Sequence, residues 1–463
     1  MAETYSTLTA LFTDIADAIR EKTSDASVIV ADDFPDVIRE SLQAIQPKPY
    51  LTFSSLSSFT LAVNDTTKHW DGTLEYSTDT STWSTWDGTT TLSSATSGSD
   101  NVLYLRGTGN TVITGDNSNC KWVLAGSDVA CIGNIENLLD YTTVKSWAHP
   151  TMGDHCYAYM FSSCKALTQA PALPATTLTN YCYQYIFQNC TGLAQAPALP
   201  ATTLVANCYY GMFYGCTGLT QAPELPATIL ASFCYRYMFQ NCANLANAPA
   251  LPATMLEAGC YFGMFYGCSN LTQAPALPAT TLAEGCYTGM FQGCSNLTQA
   301  PALPATTLAN NCYKSMFNRC TSLTQAPALP ATKLKTQCYQ SMFRNCTALT
   351  QAPALPATTL ADGCYMSMFD GCAGLTQAPS LPATTLVSNC YYSMFENCTS
   401  LKLSSTQTGE YTVAYRIPTT GTGTTATNAT NTLSYMFTST GGTFTGTPEI
   451  NTTYYLSNTN TVV

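Results

Sequence analysis

The sequence predicts an α/β repeat solenoid, in which each 26-residue repeat supplies a short helix and a short Pro-rich extended segment. Two observations predict this fold class. One pattern of Cys, Tyr, Met, Phe, Leu and Pro occurs ten times without an insertion. In each copy the apolar residues of the first half recur at helical spacing, and the second half is interrupted by two prolines. Only stacked units of identical geometry tolerate so strict a period. Residues 154–401 are therefore predicted to form the solenoid, and differently patterned regions flank it.

The repeat opens with a Cys-Tyr pair and ends near the string LPATTL. The first copy reads CYAYMFSSCKALTQAPALP from Cys156 to Pro174. One such unit has too small a core to fold alone, so we expect neighbouring units to bury each other. The pattern recurs every 26 residues, at Cys182, Cys208, Cys234, Cys260, Cys286, Cys312, Cys338, Cys364 and Cys390.

The two halves of each unit differ in pattern. In the first copy Cys156, Met160 and Cys164 lie four residues apart, which predicts a helix from near Asp154 to near Cys164. The second half, LTQAPALPATTL, contains two prolines. Because proline has no backbone N–H to donate to a neighbouring strand, any strand here is limited to two or three residues. Stacked strands would place successive repeats about 5 Å apart, whereas packed helices would place them about 8–10 Å apart.

Twenty of the 22 cysteines lie in the repeats, two in each. If the helix is real, Cys156 and Cys164 lie about 12 Å apart along it. That distance exceeds the limit of about 7 Å between the Cα atoms of a disulfide, so the two cysteines of one repeat do not pair. The sequence leaves two alternatives open: buried free thiols that act as small hydrophobic side chains, or bridges between neighbouring repeats.

Three regions precede the solenoid. Residues 1–46 predict two short helices, which form either a docking or oligomerisation element or a helical cap on the next domain. Residues 47–126 alternate apolar and polar positions between turn residues, which is typical of a small β-sandwich of immunoglobulin-like kind. Trp122 is expected in its core. Residues 127–153 link the sandwich to the first repeat and cap its open end.

The chain beyond residue 401 is rich in Ser, Thr and Gly. It still contains Tyr435-Met436-Phe437, which repeats the Tyr, Met and Phe of the solenoid pattern. Residues 402–463 are therefore predicted to be a degenerate region that caps the C-terminal end of the stack.

Composition and charge exclude several classes of partner. The chain has 17 basic and 28 acidic residues, which give a net charge of −11. A chain of this kind is not expected to bind nucleic acid or an anionic membrane. No apolar run approaches the roughly 20 residues of a membrane-spanning helix, so no membrane insertion is expected. The first residues include acidic Glu3, Asp14 and Asp17 and lack a basic start followed by an apolar stretch, so no secretory signal is predicted.

Catalytic motifs do not stand out in this sequence. It has no GxSxG elbow, no HExxH pair and no phosphate-binding loop. His69, His149 and His155 have no evident nucleophile partner and are interpreted as surface or turn histidines. Since the chain has no CxxC pair and only three histidines, a metal site is not expected either. The sequence therefore predicts a non-enzymatic protein without cofactor or metal.

Two pairs of positions in each repeat vary from copy to copy: the two residues after Cys-Tyr and the two after Met-Phe. On a helix, the first members of both pairs would lie on one outer ridge. A constant core beneath a varied, aromatic-rich row suits recognition of a glycan or protein surface, although exposed positions that drift without selection would vary in the same way. The candidate binding residues are Tyr210, Tyr214, Arg236, Phe262, Tyr266, Lys314, Arg344 and Tyr392.

The unit CYxxMFxxCxxLTxAPxLPATTL resembles the BspA-like, DUF285-type surface leucine-rich repeats of gut and oral bacteria and of the phages that infect them. The strings IADAIREKT and ADDFPDVIRE resemble the opening of phage tail and fibre proteins, and YLRGTGNT resembles the β-sandwich that often precedes such repeats. The C-terminal string YRIPTTGTGTTAT also resembles the usual ending of these proteins.

This resemblance implies a bacteriophage virion surface protein of fibre or decoration type. Residues 1–46 would hold it to other virion proteins as a homo-oligomer, and the solenoid would face a glycan or protein of the host surface. Assembly in the host cytoplasm and release by lysis agree with free thiols. The repeats also leave two alternatives open: a bacterial cell-surface adhesin, or a purely structural capsid decoration protein without a host ligand.

Overall fold

The computed structural model of the chain describes residues 48–65, 69–116, 118–425 and 429–463. The helical docking or oligomerisation element predicted at residues 1–46 lies outside the described residues. The described chain begins with two β-sheets, continues as a stack of turns and short extended segments, and ends in a further group of strands.

Short strands are the main regular secondary structure of the described chain before the second repeat. A 3-10 turn, Ser118–Cys120, precedes β8, and a helix, α1 (Asn137–Lys145), lies between β9 and β10. The strands are β1 (Leu51–Ser55), β2 (Thr60–Val63), β3 (Thr73–Ser77), β4 (Ser84–Trp86), β5 (Leu92–Ser93), β6 (Ala95–Ser97), β7 (Asp100–Thr108), β8 (Trp122–Ala125), β9 (Val129–Ile132) and β10 (Leu167–Gln169).

These strands form two sheets that share one apolar core. Strands β10, β9, β1, β7, β3 and β4 follow one another in the larger sheet, with β6 paired to β7, while β5, β2 and β8 form the smaller sheet. The ring of Trp122 on β8 lies 6.5 Å from that of Phe53 on β1 and 5.7 Å from that of Trp86 on β4. Trp122 is 1% exposed, which confirms its predicted place in the core. The immunoglobulin-like kind of this region stays a prediction.

The larger sheet continues directly into the first repeat. Strand β10 belongs to that repeat and pairs in parallel with β9, so that Leu167 lies opposite Val129. The N–H of Val129 also donates to the carbonyl of Ala166 at 2.8 Å. The core of the sheets and that of the solenoid are therefore continuous. Within the described ranges, no helix is long and apolar enough to span a bilayer.

The first half of each repeat is not a helix, so the helix predicted from Asp154 to Cys164 is wrong. It consists of overlapping tight turns in which every fourth residue has a left-handed backbone, with φ of 57° at His155, 60° at Tyr159 and 68° at Ser163. Alternate N–H groups donate within the turns. Those between them donate to the next repeat, as the N–H of Tyr159 does to the carbonyl of Gln184 at 2.8 Å.

A left-handed residue at every fourth position ends an α-helix before it completes two turns, because a helix needs every residue in the right-handed region. The spacing of four in the sequence is the period of these turns and not that of a helical face. The α/β fold class is therefore corrected to a solenoid of turns and short extended segments with little helix.

Hydrogen bonds between successive repeats set the pitch of the stack. Tyr157 and its nine counterparts form one column of rings with adjacent centroids 5.6 to 5.9 Å apart. A second column runs from Phe161 to Phe437 with spacings of 5.5 to 5.8 Å. This spacing is close to that of neighbouring strands, and the wider pitch of packed helices does not occur.

The second half of each repeat is extended, as its prolines predict. Gln169 forms a parallel bridge with Gln195, and equivalent single-residue bridges continue from repeat to repeat as far as Gln377. Leu167, Leu173 and Leu178 of the first repeat are buried. This side of the stack is therefore held by single-residue bridges between repeats and by buried leucines within each repeat.

The 20 cysteines of the repeats are free thiols and buried, so of the two alternatives the structure has buried thiols. The second cysteine of each repeat from Cys190 to Cys398 places its Sγ 2.9 to 3.2 Å from the carbonyl oxygen of a Phe in the preceding repeat. Burial raises the pKa of Cys216 to about 12. Such a thiol stays neutral and acts as both a small apolar group and a weak donor.

The C-terminal residues cover the last repeat. Phe437 stacks on Phe395 at 5.5 Å, and the N–H of Phe395 donates to the carbonyl of Met436 at 2.9 Å. β14, β17, β13 and β16 form one sheet, and β11–β18 and β12–β15 form two pairs. These strands are β11 (Gln377–Ala378), β12 (Thr385–Leu386), β13 (Lys402–Ser404), β14 (Tyr411–Arg416), β15 (Thr424–Thr425), β16 (Gly441–Gly442), β17 (Thr453–Ser457) and β18 (Thr461–Val462).

Circular dichroism tests the absence of helix in the repeats. We expect the far-ultraviolet spectrum of the full chain to lack the paired minima of a helical protein, because the turns of residues 154–401 have a left-handed residue in every fourth position. A spectrum dominated by those minima would contradict the turn structure. A thermal scan that shows cooperative unfolding is the control that the sample is folded.

Candidate binding groove on the variable face

The variable face consists of the residues two, three, six and seven positions after the first cysteine of each repeat. The structure places these residues at the corners of the turns and not on a helical ridge. Most of the predicted binding residues on this face are half-buried, because their rings and stems pack against neighbouring repeats. The side chain of Arg344 is the exception, at 48% exposed.

Aromatic side chains from consecutive repeats pack edge to face on part of this surface. Tyr210 lies 5.0 Å from Tyr185 and 5.9 Å from Tyr237, and Tyr237 lies 5.3 Å from Phe262. Tyr214 adds a further contact with Tyr185 at 6.2 Å. Edge-to-face pairs at such distances are favourable, so these rings form a rigid surface.

Arg236 lies among these rings. Its guanidinium carbon is 4.6 Å from the ring centroid of Phe262 and 4.9 Å from that of Tyr237, and the rings of Phe233 and Tyr210 follow at 5.3 and 5.5 Å. Among the described residues, its buried Nε has no hydrogen-bond partner and no carboxylate lies within 4.0 Å. The rings orient the cation, but they do not neutralise its charge.

A groove of about 660 Å³ opens beside Arg236. Two glycines shape it. The ring of Phe233 crosses the space above Gly259, where a Cβ atom would lie 2.3 Å from the ring, whereas a Cβ at Gly285 would meet only the Thr288 hydroxyl at 3.5 Å. Gly285 therefore leaves the floor of the groove open.

Polar residues form the far wall of this groove. Lys314 donates from Nζ to Oε1 of Gln337 at 2.9 Å, and the Thr288 hydroxyl donates to the carbonyl of Asn311 at 2.6 Å. Exposed Glu284 also lines the groove. The groove thus combines two cations, one carboxylate, two amides and two aromatic rings.

The structure brings together only some of the predicted binding residues. Tyr210, Arg236 and Phe262 are neighbours, and Lys314 lies across the groove from them. Arg344 lies elsewhere, where its Nε pairs with Asp370 at 2.8 Å. Tyr266 does not line the groove, and Tyr392 packs against Tyr435 near the C-terminal end of the stack.

Sequence reasoning missed three residues of this surface. Tyr185 and Tyr237 occupy the left-handed position three residues after the first cysteine, and Phe233 occupies the one just before it. The helical interpretation used only the first member of each variable pair, which left out Tyr185 and Tyr237. Phe233 precedes the cysteine and belongs to neither pair. The signal was present, because the same two positions also vary between aromatic, Gly, Asn and Ser residues along the chain.

A separate polar cluster lies in the sheet region. The Nδ1 of His69 is 3.2 Å from the Sγ of Cys120, and its Nε2 is 2.7 Å from Asp65. The interpretation of His69 as a histidine without a nucleophile partner is therefore wrong. Because Cys120 is only 3% exposed, a substrate cannot reach its sulfur. The three donors lie within 4.8 Å of one another, and thiolate, imidazole and carboxylate are ligand types that Zn²⁺ accepts.

The other two histidines have structural neighbours. His149 Nδ1 lies 2.9 Å from the carboxylate of Glu136, whose side chain is 2% exposed. The ring of His155 stacks on that of Tyr181 at 4.4 Å. Neither has a nucleophile among these contacts.

Comparison with known proteins identifies the repeats. Residues 140–246, 199–323 and 263–402 match the BspA type leucine rich repeat region, with six copies. Together these matches span residues 140–402, which is more than half of the 463-residue chain. No curated protein and no solved structure matches the chain. On the basis of its repeats, this chain belongs to the BspA-type leucine-rich repeat family.

Proposed function

We propose that this chain is a non-enzymatic surface protein of a bacteriophage particle, of fibre or decoration type, which uses the variable face to attach to a glycan or protein of the host surface. Residues 1–46 would join it to other virion proteins as a homo-oligomer. The protein would assemble in the host cytoplasm and act outside the cell after lysis.

The observation that carries this proposal is the contrast between the two sides of each repeat. The core columns of Tyr, Phe and Cys are nearly invariant and buried, whereas the variable face changes in charge, size and aromaticity from repeat to repeat. BspA-type repeats are typical of surface and adhesin-type proteins and of a non-enzymatic family. The resemblance of residues 1–46 to phage tail and fibre proteins supports the virion as the location.

The family itself favours a second candidate, a bacterial cell-surface adhesin. The variable face would serve the same purpose there, and only the location would differ. A capsid decoration protein without a host ligand would instead have no use for the groove.

Mass spectrometry of purified phage particles, with immunogold labelling of this chain, tests the location. We expect the chain on virions, and label at the tail tip would favour host attachment over decoration of the head. Its absence from virions, together with label on the surface of the producing bacterium, would contradict the phage proposal and favour the adhesin.

Binding of the purified chain to host cells tests attachment separately. We expect saturable binding that is lost when Tyr185, Tyr210, Tyr237 and Phe262 are all replaced by Ser. The matched control replaces exposed Thr280, Thr306, Thr332 and Thr358 of the Pro-rich side with Ala. If both variants bind host cells as well as the unchanged chain does, the variable face has no part in attachment.

A further inference from the structure

We propose that the groove over Gly285 binds a saccharide that carries a carboxylate. This inference rests on the proposed attachment function and names the chemistry of its ligand. The groove is the cavity between Arg236 and Lys314, with the Phe233 and Phe262 rings beside Arg236 and with Gly285 in its lining.

The shape of the groove fits a small extended ligand. Its volume of about 660 Å³ lies within the range of about 300–1,000 Å³ that is typical of small-molecule sites. Arg236 and Lys314 are three repeats apart, which at about 5 Å a repeat places them roughly 15 Å apart along the stack. Gly285 lies between them, and a Cβ atom there would meet only the Thr288 hydroxyl, at 3.5 Å. A ligand of two or three sugar rings can therefore lie along the stack between the two cations.

The charges of the groove favour an anion. Arg236 has no carboxylate within 4.0 Å among the described residues, in contrast to Arg344 of the same face, which pairs with Asp370. The Lys314 ammonium donates to the neutral amide of Gln337 and has no carboxylate within 4.0 Å among the described residues. Against these two cations stands one carboxylate, that of exposed Glu284. In a chain with a net charge of −11, this is a local excess of positive charge.

The remaining groups of the groove favour a ligand rich in hydroxyl groups. The Phe233 and Phe262 rings offer apolar surface, which suits the C–H face of a sugar ring. Asn311 and Gln337 offer amide donors and acceptors, and Glu284 accepts hydrogen bonds from hydroxyl groups. A guanidinium held in a fixed orientation by four rings is suited to a planar carboxylate, which it can bind through two parallel hydrogen bonds.

The test uses the full chain and an array of immobilised oligosaccharides that end in a sialic or uronic acid. Each acidic oligosaccharide is printed beside its carboxyl-reduced, neutral counterpart. We expect the chain to bind at least one acidic oligosaccharide and to bind its neutral counterpart at least about tenfold more weakly, because loss of the anion leaves Arg236 unpaired.

Three variants connect binding to the groove. Arg236→Gln removes the oriented cation, and Gly285→Gln fills the floor. The second is expected to fold, because Gln337 occupies the equivalent left-handed position with φ of 54°. Lys333→Gln is the control, since it removes an exposed cation of the Pro-rich side, outside the groove and outside the variable face. We expect the first two to lose at least about tenfold in affinity and the control to keep it, with thermal unfolding recorded for all three.

The outcomes separate this inference from the proposed function. Binding to no acidic oligosaccharide, equal binding to the neutral counterparts, or equal binding by folded Arg236→Gln and Gly285→Gln would each overturn the acidic-saccharide ligand. If the chain nevertheless binds host cells, and protease treatment of the cells abolishes that binding, attachment stands and its target is a protein. If the chain binds neither the array nor the cells, the attachment function fails with it.

Discussion

A change from about pH 8 to about pH 10 is expected to unfold the solenoid, because its buried thiols ionise only in the unfolded chain. Burial raises the pKa of Cys182, Cys216 and Cys346 from 9.0 to about 12. A group whose pKa is raised in the folded state makes that state less stable at high pH. Below pH 9 the thiols are neutral in both states, and above it the unfolded chain loses protons that the folded chain keeps, so the free energy of unfolding falls as the pH rises from about 9 towards 12.

The expected effect is large because the thiols are numerous. Each thiol contributes a loss of about 1.4 kcal/mol per pH unit in this window. With 20 buried thiols in the repeats, the loss on complete unfolding exceeds the roughly 5–15 kcal/mol by which folded domains are usually stable. The measurement is the urea midpoint of unfolding as a function of pH, followed by circular dichroism and by thiolate absorbance.

A variant with fewer thiols provides the control for alkaline unfolding. Replacement of the second cysteine by Ala in four consecutive repeats should make the free energy of unfolding fall less steeply with rising pH, although it lowers stability at neutral pH. Urea midpoints that stay equal between about pH 8 and pH 10 would show that the thiols do not govern alkaline stability. Thiolate absorbance that rises before structure is lost would show that they are accessible. The four positions are Cys190, Cys216, Cys242 and Cys268.

Phe265→Ala is expected to destabilise the stack by about 3–5 kcal/mol, the usual cost of truncating a buried Phe. Phe265 is 0% exposed and stacks on Phe239 at 5.6 Å and on Phe291 at 5.7 Å. The cavity would lie between two rings that are themselves held by backbone hydrogen bonds to their neighbours, so it cannot close without breaking the register of the column. Urea unfolding measures the loss.

Hydrogen exchange shows where this destabilisation acts. Because each repeat contacts mainly its neighbours, we expect faster exchange in the repeats of Phe239, Phe265 and Phe291 and less change towards both ends. Thr280→Ala, at an exposed position of the same repeat, should leave stability unchanged to within about 0.5 kcal/mol. A loss below about 1 kcal/mol for Phe265→Ala would mean that the ring column contributes little to stability.

The repeat period, the buried columns and the extended Pro-rich half could be predicted because each follows from side-chain pattern alone. The helix could not be distinguished from tight turns on the same ground. Cys156, Met160 and Cys164 lie four residues apart in either structure. The left-handed residues between them are Tyr159 and Ser163, and neither residue type indicates a left-handed backbone as Gly or Asn does.

The candidate site was predicted in part for the same reason. Arg236 and Phe262 were found because their positions vary between repeats. The groove, however, depends on the absence of a side chain at one position. Gly285 has no side chain to attract notice, and its importance appears only when the structure places it between Arg236 and Lys314. A sequence shows which residues change, whereas a concave surface depends on which neighbours are small.

The strict 26-residue period also has a consequence for how such chains can change over generations. Since each repeat bonds to the next through the same backbone groups, removal or duplication of one complete unit leaves every column in register. Because the LTQAPALPATTL strings are nearly identical, neighbouring units meet through the same Pro-rich segment, and a complete unit can be added or lost without changing that segment. Such an event would change the length of the rod in one step and would bring side chains that were never neighbours into contact across a new junction.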